Sequence, residues 1–103
     1  MIKSTTAILL VGLFTLPGAA NADEALAKSK ACLACHQINA KVVGPAFVDV
    51  KKKYAGQANS REMLIQKVIN GGKGNWGPMP MPKQNVTPEE AAKLVDWVLS
   101  LEQ

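Results

Sequence analysis

Two thiols and an imidazole stand together in Cys32-Leu33-Ala34-Cys35-His36, and these are the only cysteines and the only histidine of the chain. C-x-x-C-H is the pattern of covalent c-type haem attachment. The spacing has a mechanical reason: two thiols about one turn apart can form thioethers to two neighbouring vinyl groups on one porphyrin edge. The next residue can then bring its imidazole to the iron as the proximal ligand. Three other chemistries fit less well. A structural zinc site needs four protein ligands, and this set is one short without a carboxylate. A thioredoxin-like pair calls for a βαβ pattern, and two free thiols would not suit an oxidising compartment.

A second axial ligand decides what such an iron does, because an open position allows ligand binding or activation and a filled one favours electron transfer. With no second histidine, methionine is the remaining good donor, and Met79 and Met81 both lie in Trp76-Gly77-Pro78-Met79-Pro80-Met81-Pro82. Spacing alone leaves both open. Met63 falls on a helical pattern and is expected in the core. Pro45 is placed where its carbonyl could accept from the second nitrogen of His36 and fix its tautomer. Trp76 could donate its indole N–H to a haem propionate, Trp97 is expected in the core, and Lys51-Lys52-Lys53 reads as a solvated face.

The elements that must hold these residues are helical. A first helix is expected from Asp23-Glu24, acidic residues suited to a helix N-terminus, toward Cys32. Val42-Val43-Gly44-Pro45 must be extended, and a short helix follows over Phe47 to Tyr54, ended by Gly56. Ser60 is the expected N-cap of a third helix, with Asn70-Gly71-Gly72 as a left-handed stop. Gly71 to Pro82 is too rich in glycine and proline for helix or central strand, and loops of this length in small domains are usually functional. Thr87-Pro88-Glu89-Glu90 is a capping box with proline at the first helical position. Behind it Ala91, Leu94, Val95, Val98 and Leu99 form one apolar stripe.

Residues 1–22 read as a signal peptide, and 23–103 as the single functional domain. Lys3 precedes an apolar run from Ala7 to Leu16, Pro17-Gly18 breaks it, and Ala20-Asn21-Ala22 offers small residues for cleavage. The run is short of the roughly 20 residues needed to span a bilayer, so no stable membrane insertion is expected. A domain of this size buries too little to be comfortably stable unaided, and two cysteines so close in sequence would close almost no loop. A large apolar cofactor supplies what the core lacks. The formal net charge of +4 is spread without an arginine-rich, aromatic-interleaved stretch, which gives nucleic-acid binding no support.

Across nearly the whole domain the sequence resembles the small class I bacterial cytochromes c of the c-551 (c8) type. The resemblance is carried by Lys30-Ala31-Cys32-x-x-Cys35-His36, Val43-Gly44-Pro45-Ala46, Tyr54-Ala55-Gly56-Gln57, Asn70-Gly71, Trp76-Gly77-Pro78-x-Pro80-Met81-Pro82 and Trp97-Val98-Leu99. It implies an all-α cytochrome c fold, about four helices around one haem c, with the N- and C-terminal helices crossing. It selects Met81 as the ligand opposite His36, since Met79 stands at a position that is aliphatic in that family. It also supports the Pro45 and Trp76 roles, and it places Asn85 near the methionine sulfur, although Lys83-Gln84 departs from the family pattern. The implied function is a periplasmic electron carrier rather than an enzyme, with a monomer as the default expectation. Its donors would be of the cytochrome bc kind, its acceptors a nitrite reductase or a terminal oxidase. The alternative is a five-coordinate haem sensor or peroxidase-like protein.

Overall fold

The computed structural model describes Gly12 and residues 19–102. The predicted signal peptide therefore lies outside the described residues, apart from Gly12 and 19–22. Four α-helices are present among them, α1 (Ala19–Ser29), α2 (Phe47–Tyr54), α3 (Ser60–Asn70) and α4 (Pro88–Ser100), with one 3₁₀ turn at Cys32–Ala34. In place of strands there are two isolated bridges, His36 with Lys41 and Gly72 with Met81. The all-α expectation holds.

α4 is the hub, packing against α1, α2 and α3. Its capping box forms as the sequence requires: Glu90 N donates to Thr87 Oγ1 at 3.1 Å and Thr87 N donates to Glu90 Oε1 at 2.9 Å. These bonds, backed by Lys30 at 3.3 Å, hold the Glu90 carboxyl below its ordinary value. Ala91, Leu94, Val95 and Val98 of the predicted stripe are buried, joined by Trp97. Ala27 of α1 is wholly buried in one cluster with Leu94, Trp97 and Val98, so the first and last helices pack directly on each other.

Several expectations change on folding. α1 begins at Ala19 rather than Asp23, because the alanines upstream are strong helix formers, and Asp23 and Glu24 sit inside the helix. Ser60 is not an N-cap: the helix starts on it, Asn59 takes the cap position at φ +66°, and the buried Ser60 hydroxyl donates to Tyr54 O (2.8 Å) and Gln57 O (3.0 Å) instead. It ties the start of α3 to the end of α2. Met63 is half-buried on α3 rather than a core residue. The lysine run is only partly a solvated face, since Lys51 donates to Leu101 O at the end of α4 and Lys53 to Asn75 O. Lys51 thereby supplies the cation that the last turn of α4 lacks.

α2 has no side-chain cap. Its first N–H groups are satisfied from outside the helix, Phe47 N by Gln37 O (2.9 Å) and Val48 N by Ile38 O (3.1 Å), which locks the segment after His36 against the helix that follows. At the surface, Arg61 grips Asp96 with two hydrogen bonds, of 2.7 and 3.1 Å, and joins α3 to α4. The guanidinium lowers the Asp96 carboxyl from 3.8, so the stabilisation is present above that value and is lost as pH falls through the lower folded one.

Removing the cap hydroxyl of α4 should be felt by the whole fold because α4 touches every other helix. Thr87→Ala is expected to cost about 1 kcal/mol in denaturant unfolding of the holoprotein, with no change in its visible spectrum.

Candidate functional site

All the helices but α1 reach one apolar cavity of about 380 Å³, and the segment that follows α1 brings Cys32, Cys35 and His36 to it. That segment is built by short bonds. Ala31 turns left-handed at φ +62°, Cys35 N and His36 N both donate to Cys32 O at 3.2 and 2.9 Å, and Val43 N and Gly44 N both return to Cys35 O at 3.2 and 2.8 Å. Cys32 is half-buried and Cys35 exposed. Burial pushes the Cys32 thiol above its ordinary value, against the pull of a backbone hydrogen bond.

His36 is held on several sides. Its Nδ1 lies 2.7 Å from the Pro45 carbonyl oxygen. A carbonyl only accepts, so Nδ1 carries the proton and the neutral ring keeps its lone pair on Nε2, the form a metal binds. The ring stacks on Phe47 with centroids 4.8 Å apart, and Phe47 meets Trp97 edge-on at 5.4 Å. Gly44 closes over the imidazole so tightly that a Cβ there would stand 2.5 Å from Cε1. The orientation of this ring is thus tied to the buried core.

The loop after α3 brings both methionines to the cavity, but not alike. Met79 is 66% exposed, whereas Met81 is half-buried and its backbone is bonded both ways to Gly72, Met81 N to Gly72 O at 2.8 Å and Gly72 N to Met81 O at 2.9 Å. Gly71 makes that approach possible, since a Cβ on it would fall 2.5 Å from Met81 O, at a φ of +74° that already favours glycine. Met63 does not line the cavity, and Trp97 does so from the core side.

Trp76 is 44% exposed at the cavity rim, with the Lys53 ammonium 4.5 Å from its ring centroid and the Tyr54 ring edge-on at 6.4 Å. Asn85 is exposed and outside the lining, while Gln84 lines it. Gln84 is fixed by its backbone N–H to Val68 O (3.0 Å) and by its amide to Pro82 O (2.7 Å). Gln84 and Lys67 are cavity residues that sequence reasoning missed. No local pattern marks either, although the Lys83-Gln84 departure was the place to look.

A cytochrome c family model matches residues 21–102. The chain is 52% identical over 93 residues to cytochrome c-552 of Hydrogenobacter thermophilus, covering 90% of this chain and 95% of that one. It is 48% identical over 94 residues to cytochrome c-551 of Pseudomonas aeruginosa, covering 90% of each. The crystal structure of wild-type Nitrosomonas europaea cytochrome c552 superposes with a TM-score of 0.73 at 44% identity, over 77% of this chain and 99% of that one. The chain belongs to the cytochrome c family, as a class I c-type cytochrome of the c-551 kind. It is a monohaem electron-transfer protein with covalently bound haem c.

The cavity fits that group on its own chemistry. Its walls are mainly apolar, two sulfurs and an imidazole reach it from one short segment, a thioether reaches it from the loop, and Gly44 and Gly71 stand where side chains would collide with His36 and Met81. By contrast, no three His, Cys, Asp or Glu side chains gather into a metal-binding group among the described residues.

Gly44→Ala should force the imidazole or the Val43–Pro45 turn to shift. A loss of about 1–3 kcal/mol in denaturant unfolding of the holoprotein is expected, the usual cost of overpacking a tight site.

Proposed function

We propose that this chain is a periplasmic one-electron carrier whose haem is joined to Cys32 and Cys35, with His36 and Met81 as axial ligands. When bound, the haem supplies an iron that alternates between ferric and ferrous states. The observation that carries the reading is the pairing of a fixed Nε2 lone pair on His36 with a half-buried Met81 whose backbone is pinned to Gly72. Pro45 orients His36 by accepting from Nδ1, which also raises the basicity of the ligand nitrogen. Met81 offers a neutral thioether, which favours the ferrous state and raises the potential. Trp76, at the rim, is suited to donate its indole N–H to a propionate. With both axial positions occupied by protein, no coordination site remains for a substrate. A five-coordinate sensor or peroxidase would keep methionine sulfur away from the site, yet two methionines line this cavity.

Residues 1–22 would direct export and be removed. No helix among the described residues is long and apolar enough to cross a membrane. Val43, Trp76 and Met79 leave apolar surface at the mouth of the cavity, and Lys41, Lys67 and Lys73 also line it. This suits brief docking, as a monomer, to redox proteins with an acidic surface. The donor would be of the cytochrome bc kind and the acceptor a nitrite reductase or a terminal oxidase.

The ligand assignment is tested by substitution. Met81→Ala should abolish the iron–sulfur charge-transfer band at the red end of the oxidised spectrum and lower the reduction potential, whereas Met79→Leu should leave both nearly unchanged. The reverse pattern would overturn the assignment, and loss in neither would place the sixth ligand outside this loop. Electron exchange with an acidic redox partner should slow as ionic strength rises through the range where the Debye length falls from about 30 to about 10 Å. Rates flat across that range would remove electrostatic docking while leaving the carrier assignment intact.

A further inference from the structure

The loop that carries Met81 is fastened very unequally. Its inner end is held by the paired Gly72–Met81 bonds and by Gln84 N on Val68 O. Its outer part, Lys73 to Pro80, is exposed and bends at Gly74 (φ +101°) and Gly77 (φ +113°). The one backbone bond inside it joins Gly74 N to Gly77 O at 3.1 Å. Among the described residues a single hydrogen bond ties this outer part to a helix, from Lys53 Nζ to Asn75 O at 2.8 Å.

The same ammonium sits 4.5 Å from the Trp76 ring centroid and 5.4 Å from that of Tyr54. Tyr54 is buried at the end of α2 and anchored by the Ser60 hydroxyl on its carbonyl oxygen, so the clamp has a fixed base. One cation thus engages two consecutive loop residues, by a charge-assisted bond to one and a cation–π contact to the other. We propose that Lys53 is a positioning residue that pins the outer loop through Asn75 and Trp76, and so sets how often Met81 leaves the iron. The proposal rests on the reading of Met81 as the ligand.

The test uses ferric holoprotein and imidazole as a competing ligand. At saturating imidazole, the rate of loss of the iron–sulfur band reports loop opening. Lys53→Met keeps the alkyl stem but removes donor and charge, and should raise that rate about thirtyfold, the lower end of the combined worth of an exposed cation–π contact and a charge-assisted hydrogen bond. Lys53→Arg restores both interactions and should return the rate to within about twofold of wild type. Arg61→Gln serves as the control, because it breaks the Asp96 pair between α3 and α4 and lowers general stability without touching the loop. It should leave the opening rate unchanged. A wild-type rate in Lys53→Met, or an equal rise in Arg61→Gln, would overturn the clamp. Met81→Ala separates the two readings: if it keeps the band, the ligand assignment fails, and if it loses the band while Lys53→Met opens at the wild-type rate, the clamp alone fails.

Discussion

The architecture depends on one apolar space that is shared rather than owned by any element. Phe47, Leu94, Trp97 and Val98 are core residues of the helix packing and also walls of the cavity. A chain this short cannot bury enough of its own surface to be comfortably stable, and here the helices that would form its core are arranged around a space sized for another group. In a c-type cytochrome the haem is therefore part of the core. Stability and cofactor attachment become one property, and α4, which packs on every other helix, carries the consequences of both.

What could be read from the sequence was local. The Thr87 capping box, the Gly71 stop, the proline-rich loop and the apolar stripe of α4 each depend on residues within a few positions, and each formed as expected. The misreadings at Ser60 and in the lysine run share a cause. Ser60 looked like a cap because caps are local, but its hydroxyl is spent on Tyr54 O, a tertiary partner. Lys51 looked solvated because lysines usually are, yet it bonds to Leu101 O, 50 residues away, while Lys53 is exposed as expected but also bonds to Asn75 O, 22 residues away. For the site, the motif named Cys32, Cys35 and His36. The family resemblance, and not spacing, separated Met81 from Met79, and the structure adds a physical difference between them in burial and backbone anchoring. Asn85 shows the limit of carry-over: where Lys83-Gln84 departs from the family pattern, Gln84 lines the cavity and Asn85 lies outside it.

Glycine has a specific place in this design. At Gly44 and Gly71 the side chain is missing because another group occupies its volume, the His36 imidazole in one case and the Met81 carbonyl in the other. Both glycines serve the proposed ligand pair, one on each. They mark the two points where the backbone must come closest to the coordinating residues.

The two sides of the site are nevertheless built to different stiffness. His36 is fixed by bonds that begin and end within the Cys32–Pro45 segment, and by stacking through Phe47 onto Trp97 in the core. Moving its ring would disturb buried packing at once. Met81 hangs on a loop whose outer part is exposed and, among the described residues, hydrogen-bonded to a helix by one lysine. Opening of a protein occurs first where few buried contacts and exposed hydrogen bonds hold a segment, so in the proposed ligand set the methionine bond is the one that yields. An electron carrier gains from this division. In the proposed ligand set the imidazole side is held by the core through Phe47 and Trp97, and the methionine side is held by the loop.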